Sequence, residues 1–199
     1  MKLWGNRGMK FEKMIIDADI CIKIGGSAKY RYLETLFPEI AEKLYMHKIV
    51  YEEIMMPACA KEQVDELINK GILELIEGKD LNSIEKSIYN ATFNSLASVM
   101  INPNKPRKNL GEVSSLAMAK TKSITYFGTD EKDLQVIIDE KLNNGIDNIY
   151  CIRIIDIIEM IRDEKLKGLT RKEAKALWRL SDKSTEQFNK IWPPKENNI

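Results

Sequence analysis

Met14-Ile15-Ile16-Asp17-Ala18-Asp19-Ile20 passes from three apolar residues to two acids within its first six positions. Three apolar residues are too few for a helix, and two of them are β-branched, so a short buried strand over about 14–17 is expected. In an open parallel sheet, ligands sit beyond the carboxyl ends of the strands. An acid that ends such a strand is therefore a candidate for chemistry.

Working outward, residues 1–13 read as a polar leader. Tyr32, Leu33, Leu36, Ile40 and Leu44 recur at helical spacing over 28–44, with Pro38 as an interruption. Further short strands are expected at about 45–49, 72–76, 123–127 and 149–152. Helices are expected between them, and Asn82 with Glu85 forms a capping box ahead of one. Gly111-Glu112 opens another. Strands alternating with helices imply an α/β fold: a three-layer sandwich with a central parallel sheet of four or five short strands.

The span 14–166 accounts for this pattern. Residues 167–199 differ. From Arg162 to the end the chain has ten Lys/Arg against six Asp/Glu. Thr170 with Glu173 and Ser184 with Gln187 form two more capping boxes. Trp178, Leu180, Phe188, Ile191 and Trp192 would line one side of a helical hairpin, so a basic helical extension is expected, stopped by Pro193-Pro194.

Composition narrows the function classes. The chain has 199 residues, 44% hydrophobic and 31% charged, with a net charge of +1. That length holds a core without disulfides or a structural metal, and the balance of charge excludes a strongly basic nucleic-acid coat. Three cysteines at wide spacing and a single histidine, His47, exclude a Cys/His zinc site. No apolar run is long enough to cross a bilayer, and no apolar signal core is seen, so a cytoplasmic protein with no membrane partner is expected.

Four acids fall at one edge of the expected sheet. Asp17 follows the first strand. Glu52 and Glu53 follow the second. Glu112 starts the helix that runs back before the Ile124 strand, and Asp130 lies just past that strand. Asp19 and Asp133 flank them. Any one of these acids has an ordinary alternative as a helix cap or solvated turn. Together they would repel one another unless a cation neutralised them, and an all-oxygen set suits Mg²⁺ or Mn²⁺. Metal-assisted attack on a phosphodiester is the chemistry such a set serves best.

The ordered fragments Ile15-Ile16-Asp17-Ala18-Asp19-Ile20, Val50-Tyr51-Glu52-Glu53-Ile54, Gly111-Glu112-Val113-Ser114-Ser115-Leu116-Ala117 and Gly128-Thr129-Asp130-Glu131-Lys132-Asp133-Leu134 resemble the PIN-domain family over residues 14–155. The resemblance implies a ribonuclease dependent on Mg²⁺ or Mn²⁺, with Asp17, Glu53 (Glu52 less well placed), Glu112 and Asp130 as its catalytic acids. Asp17, Glu112 and Asp130 would ligate metal, with Asp19 and Asp133 as additional candidates. Many members are toxins, which implies an antitoxin partner beside the RNA substrate; a homodimer is a further candidate assembly. Asp19 stands where the family commonly has Ser, Thr or Asn, and the extension lies outside the resemblance.

Two alternatives use the same residues. Asp17-Ala18-Asp19 also resembles the nucleophile motif of haloacid-dehalogenase-type phosphatases, with Asp17 attacking phosphorus; Cys21 departs from that motif, and Glu53 and Glu112 would have no role. The other is a catalytically silent domain that binds a partner through Trp178, Phe188 and Trp192. For RNA, Lys105, Arg107, Lys108, Lys120 and Lys122 cluster around Glu112 in sequence, and Lys23, Lys29 and Arg31 follow Asp17. Lys105, Arg107, Lys108, Lys23 and Thr129 are the candidate contacts. His47 is expected to be a core or strand-end residue without a catalytic role.

Overall fold

The computed structural model describes residues 10–145, 147–167 and 169–194. β1 (Phe11–Ile16) is followed by α1 (Ala18–Gly25) and α2 (Tyr32–Ile40). β2 (Ala41–His47) leads to α3 (Lys48–Glu53) and α4 (Ala58–Asn69). β3 (Leu73–Ile76) leads through a 3₁₀ turn (Gly78–Asp80) to α5 (Ser83–Met100) and α6 (Leu110–Thr121). β4 (Tyr126–Gly128) precedes α7 (Leu134–Lys141), and β5 (Tyr150–Ile152) precedes α8 (Ile154–Arg162), α9 (Arg171–Leu180) and α10 (Thr185–Ile191).

The strands form one sheet in the order β3-β2-β1-β4-β5, and every pairing is parallel. Alternation along β1 divides the core. Met14 and Ile16 face α1, α2, α4 and α8, while Ile15 faces α5, α6 and α7 with Phe127. Helices therefore cover both sides of the sheet, as the alternating pattern requires. Every strand ends at the same edge, so Asp17, the start of α3 and the Thr129-Asp130 pair follow β1, β2 and β4 there. No described helix is long and apolar enough to cross a membrane.

Several expected boundaries move. Lys10 is the first described residue, and β1 begins at Phe11, so residues 11–13 of the expected leader are strand; residues 1–9 lie outside the described residues. Phe11 earns its place by stacking on Tyr126 of β4, ring centroids 3.7 Å apart. The expected helix over 28–44 stops at Ile40, and Ala41–His47 is strand. Pro38 leaves the last turn without a donor, and Ala41, Leu44, Met46 and His47 are buried in the sheet layer. β2 ends at His47 rather than 49, because the His47 ring caps α3: its Nδ1 accepts from the Ile49 amide at 3.2 Å.

The three capping boxes all form, with Asn82, Thr170 and Ser184 accepting from the amides of Glu85, Glu173 and Gln187. Each cap fixes where a helix begins: its side chain accepts from an amide that the first turn leaves open, and the Glu or Gln side chain accepts from the cap residue's own amide. The basic segment is not a detached tail. Ala174, Leu177, Trp178 and Phe188 are buried in the same core as Ile24 and Tyr32. Tyr32 donates its hydroxyl to the Glu173 carbonyl at 3.0 Å, and Trp178 donates Nε1 to the Ser184 carbonyl at 2.9 Å. Phe188 stands 6.3 Å from Trp178 and 6.2 Å from Trp192, centroid to centroid. Trp178 and Phe188 are therefore core, which removes both from the exposed face that the partner-binding alternative needs.

Candidate functional site

Asp17 occupies the N-cap position of α1 in extended backbone, yet its carboxylate makes no capping hydrogen bond. Its amide donates to the Gly128 carbonyl at 2.9 Å, which pins it at the end of the β1–β4 pairing. The residue is 2% exposed. Burial, then the charges of Glu112, Asp19 and Glu53, push its carboxyl well above the ordinary range, against a smaller opposite pull from the Ala18 amide. A buried carboxyl in this state gains from any cation that reaches it.

Glu112 lies in the first turn of α6, where the helix dipole favours a negative charge. Burial raises its carboxyl, and the charges of Glu131 and Asp19 add to that; Lys108 opposes. Glu53 ends α3 as a largely exposed residue, but its carboxyl end is tucked inward. A Cβ on Gly111 would stand 2.7 Å from Glu53 Oε2 and 3.0 Å from Oε1. Burial of that end and the charge of Glu112 raise it. Glu52 is exposed on the same turn, and it is Glu53 whose carboxyl lies against Gly111 and feels the charge of Glu112.

Asp130 is 6% exposed. Its Oδ1 accepts from the Ile154 amide at the start of α8, at 3.4 Å. Its Oδ2 receives two ammonium groups, Lys23 Nζ at 3.2 Å and the closer Lys183 Nζ. Lys23 also reaches Asp19 Oδ2 at 2.7 Å, bridging the two acids. Burial pulls the Lys23 ammonium down, but its bonds to Asp19 and Asp130 outweigh this and leave it raised. Burial dominates for Lys183, whose ammonium is lowered in spite of Asp130.

Asp17, Asp19, Glu53 and Glu112 thus share one electrostatic field, and Lys23 joins Asp130 to it. Among the described residues, no three His, Cys, Asp or Glu side chains converge closely enough to hold an ion as they lie. The donors are nevertheless the right kind for Mg²⁺ or Mn²⁺: hard carboxylate oxygens, with cations already drawn onto Asp130. Asp133 is exposed at the start of α7, where its side chain does not cap the helix, and it lines a recess with Asn109, Glu112, Glu131 and Ile137. A larger recess bounded by Tyr45, Glu74, Leu81, Met118 and Lys122 lies away from these acids.

The basic candidates divide. Lys105, Arg107 and Lys108 are exposed on the loop that enters α6, next to Glu112. Lys120 and Lys122 sit at the far end of α6. Lys120 is spent on the Leu142 and Asp147 carbonyls and Lys122 on Glu85. Arg31 pairs with Glu34. Lys23 faces acids rather than solvent, and Thr129 is fully buried, its hydroxyl accepting from the Glu131 amide at 3.2 Å. Neither therefore offers a free donor at the surface as it lies: Lys23 is held by Asp19 and Asp130, and Thr129 is enclosed.

Glu131 and Lys183 were not among the expected site residues. Glu131 follows Asp130 and is found only through its charge on Glu112. Lys183 is 53 residues from Asp130, and no sequence pattern joins them. His47 is 3% exposed, with Nε2 3.5 Å from the Tyr89 hydroxyl; burial pushes its ring down to about 4. It is neutral and structural. No model of a known protein family, no curated protein and no solved structure matches the chain.

Proposed function

We propose that the protein is a PIN-like endoribonuclease that uses Mg²⁺ or Mn²⁺ to hydrolyse RNA phosphodiesters. The observation that carries this reading is Asp17: a buried carboxylate at a strand end, uncapped, held among the charges of Glu112, Asp19 and Glu53. The motif order that resembles the PIN family and the five-stranded parallel sheet with these acids at its carboxyl edge support it further.

Asp17, Glu112 and Asp130 would hold the ion, with Asp130 turning from its lysines. A bound ion of this kind acidifies water and stabilises charge on the phosphoryl oxygens. Glu53, its carboxyl raised by burial and by Glu112, would orient the attacking water and accept its proton. Lys105, Arg107 and Lys108 would take phosphates flanking the cleaved bond. A phosphatase using Asp17 as nucleophile leaves Glu53 and Glu112 idle, although both act on Asp17.

The test is purified protein on single-stranded RNA and, separately, on a phosphomonoester, with Mg²⁺, Mn²⁺ or chelator. RNA cleavage that requires metal and is lost in Glu112→Gln supports the nuclease. Undiminished RNA cleavage by Glu112→Gln, or activity confined to monoesters, overturns it.

A further inference from the structure

Lys183 lies on the turn between α9 and α10 and reaches back to Oδ2 of Asp130. Its side chain is 15% exposed. The reach is built rather than incidental: Lys183 Nζ stands 5.2 Å over the Trp178 ring, and Trp178 Nε1 ties the turn through the Ser184 carbonyl at 2.9 Å. A lysine on a surface turn ordinarily keeps its ammonium in water. Here it is withdrawn onto an oxygen that already holds Lys23 at 3.2 Å, with Arg153 as a further cation in its field. Two ammonium groups on one carboxylate oxygen repel each other. Together they set two positive charges beside Asp130, which is the charge of a divalent ion.

We propose that Lys183 is a tethered counter-ion of the metal-free site, which Mg²⁺ or Mn²⁺ must displace from Asp130. The C-terminal helices thereby set how tightly the site binds metal. This inference rests on the reading of the acid cluster as a metal site. A ligand that binds only the fraction of molecules in which Lys183 has left Asp130 has its apparent affinity reduced by that fraction. Lys23, anchored also by Asp19, would stay with the cluster.

The test is calorimetric titration of the full chain with Mn²⁺, comparing the wild type with Lys183→Gln, Lys183→Arg and Asp17→Asn. Lys183→Gln is expected to bind Mn²⁺ about tenfold more tightly, because the competing cation is gone, while Lys183→Arg stays near the wild type. Equal affinity in Lys183→Gln and the wild type overturns the inference and leaves the metal site standing. No Mn²⁺ binding by either protein, or full binding by Asp17→Asn, overturns the metal reading itself. Hydrogen exchange on the wild type keeps the inference testable if Lys183→Gln does not fold. Bound Mn²⁺ should speed exchange of the amides at 181–184, and unchanged protection with Mn²⁺ bound counts against displacement.

Discussion

The carboxylate of Glu53 occupies the space that a side chain on Gly111 would take, 2.7 Å from the position of a Cβ there. Gly111 immediately precedes Glu112, so the bare backbone at the start of α6 brings an acid of α3 beside an acid of α6. Gly111→Ala should push Glu53 outward with little effect on folding, since Glu53 has room toward solvent. RNA cleavage should fall by roughly tenfold or more, the scale of a misplaced catalytic group. A variant as active as the wild type, with an unmoved melting temperature, would show that Glu53 does not need this position.

Asp17→Asn keeps shape and removes the buried charge. The wild-type carboxyl is raised by burial and by its acidic neighbours. Its favourable contribution is therefore complete below the ordinary Asp value and is lost as pH rises through the folded value. At neutral pH the metal-free wild type carries that strain and the variant does not. The variant should therefore be more stable than the wild type in chelator while losing cleavage about 100-fold or more. Chemical denaturation in chelator checks the first half; a less stable variant would contradict it.

His47 has the opposite pH signature. Its ring is pushed down to about 4 from an ordinary 6.5, so between those values the unfolded chain binds the proton and the folded one does not. Stability from this residue is present above pH 6.5 and is lost as pH falls toward 4, by roughly 3 kcal/mol in full. His47→Asn retains a capping acceptor for α3 but does not titrate. The wild type should therefore lose stability relative to His47→Asn on going from pH 7 to pH 4.5. Parallel stability curves for the two proteins would refute the assignment.

Trp178 is 3% exposed and joins the extension to the main core. Trp178→Ala should destabilise the protein by about 3–5 kcal/mol, the usual cost of a large buried aromatic. Limited proteolysis should leave 169–194 attached, and a chain ending at residue 167 should aggregate through the apolar faces of α1 and α8 that α9 covers. A soluble, fully active truncated chain would mean that the last two helices are dispensable.

Much of the fold was legible in local sequence. Short apolar runs ended by acids or turns marked β1, β3, β4 and β5 in order, because a short β-branched run buried on both faces suits a parallel sheet. Asn82, Thr170 and Ser184 marked helix starts, because capping is a contact between residues three apart. Local rules failed at 41–47: Leu44 fits the helical spacing begun at Tyr32 as well as it fits a strand. Only pairing with β1 and β3 decides between them.

The sequence by itself determined that Asp17, Glu53, Glu112 and Asp130 fall at one edge, since strand ends and helix starts alternate along the chain in a parallel sheet. Tertiary structure alone decided what each acid faces. Glu53 rather than Glu52 turns inward, because Gly111 leaves the space. Lys120 and Lys122 are carried away from Glu112 by the rise of α6, about 1.5 Å per residue. Lys183 arrives at Asp130 from 53 residues away, because Trp178 and Phe188 bury the last two helices against the core. Contacts of that kind depend on how faces pack in three dimensions, and no spacing along the chain encodes them.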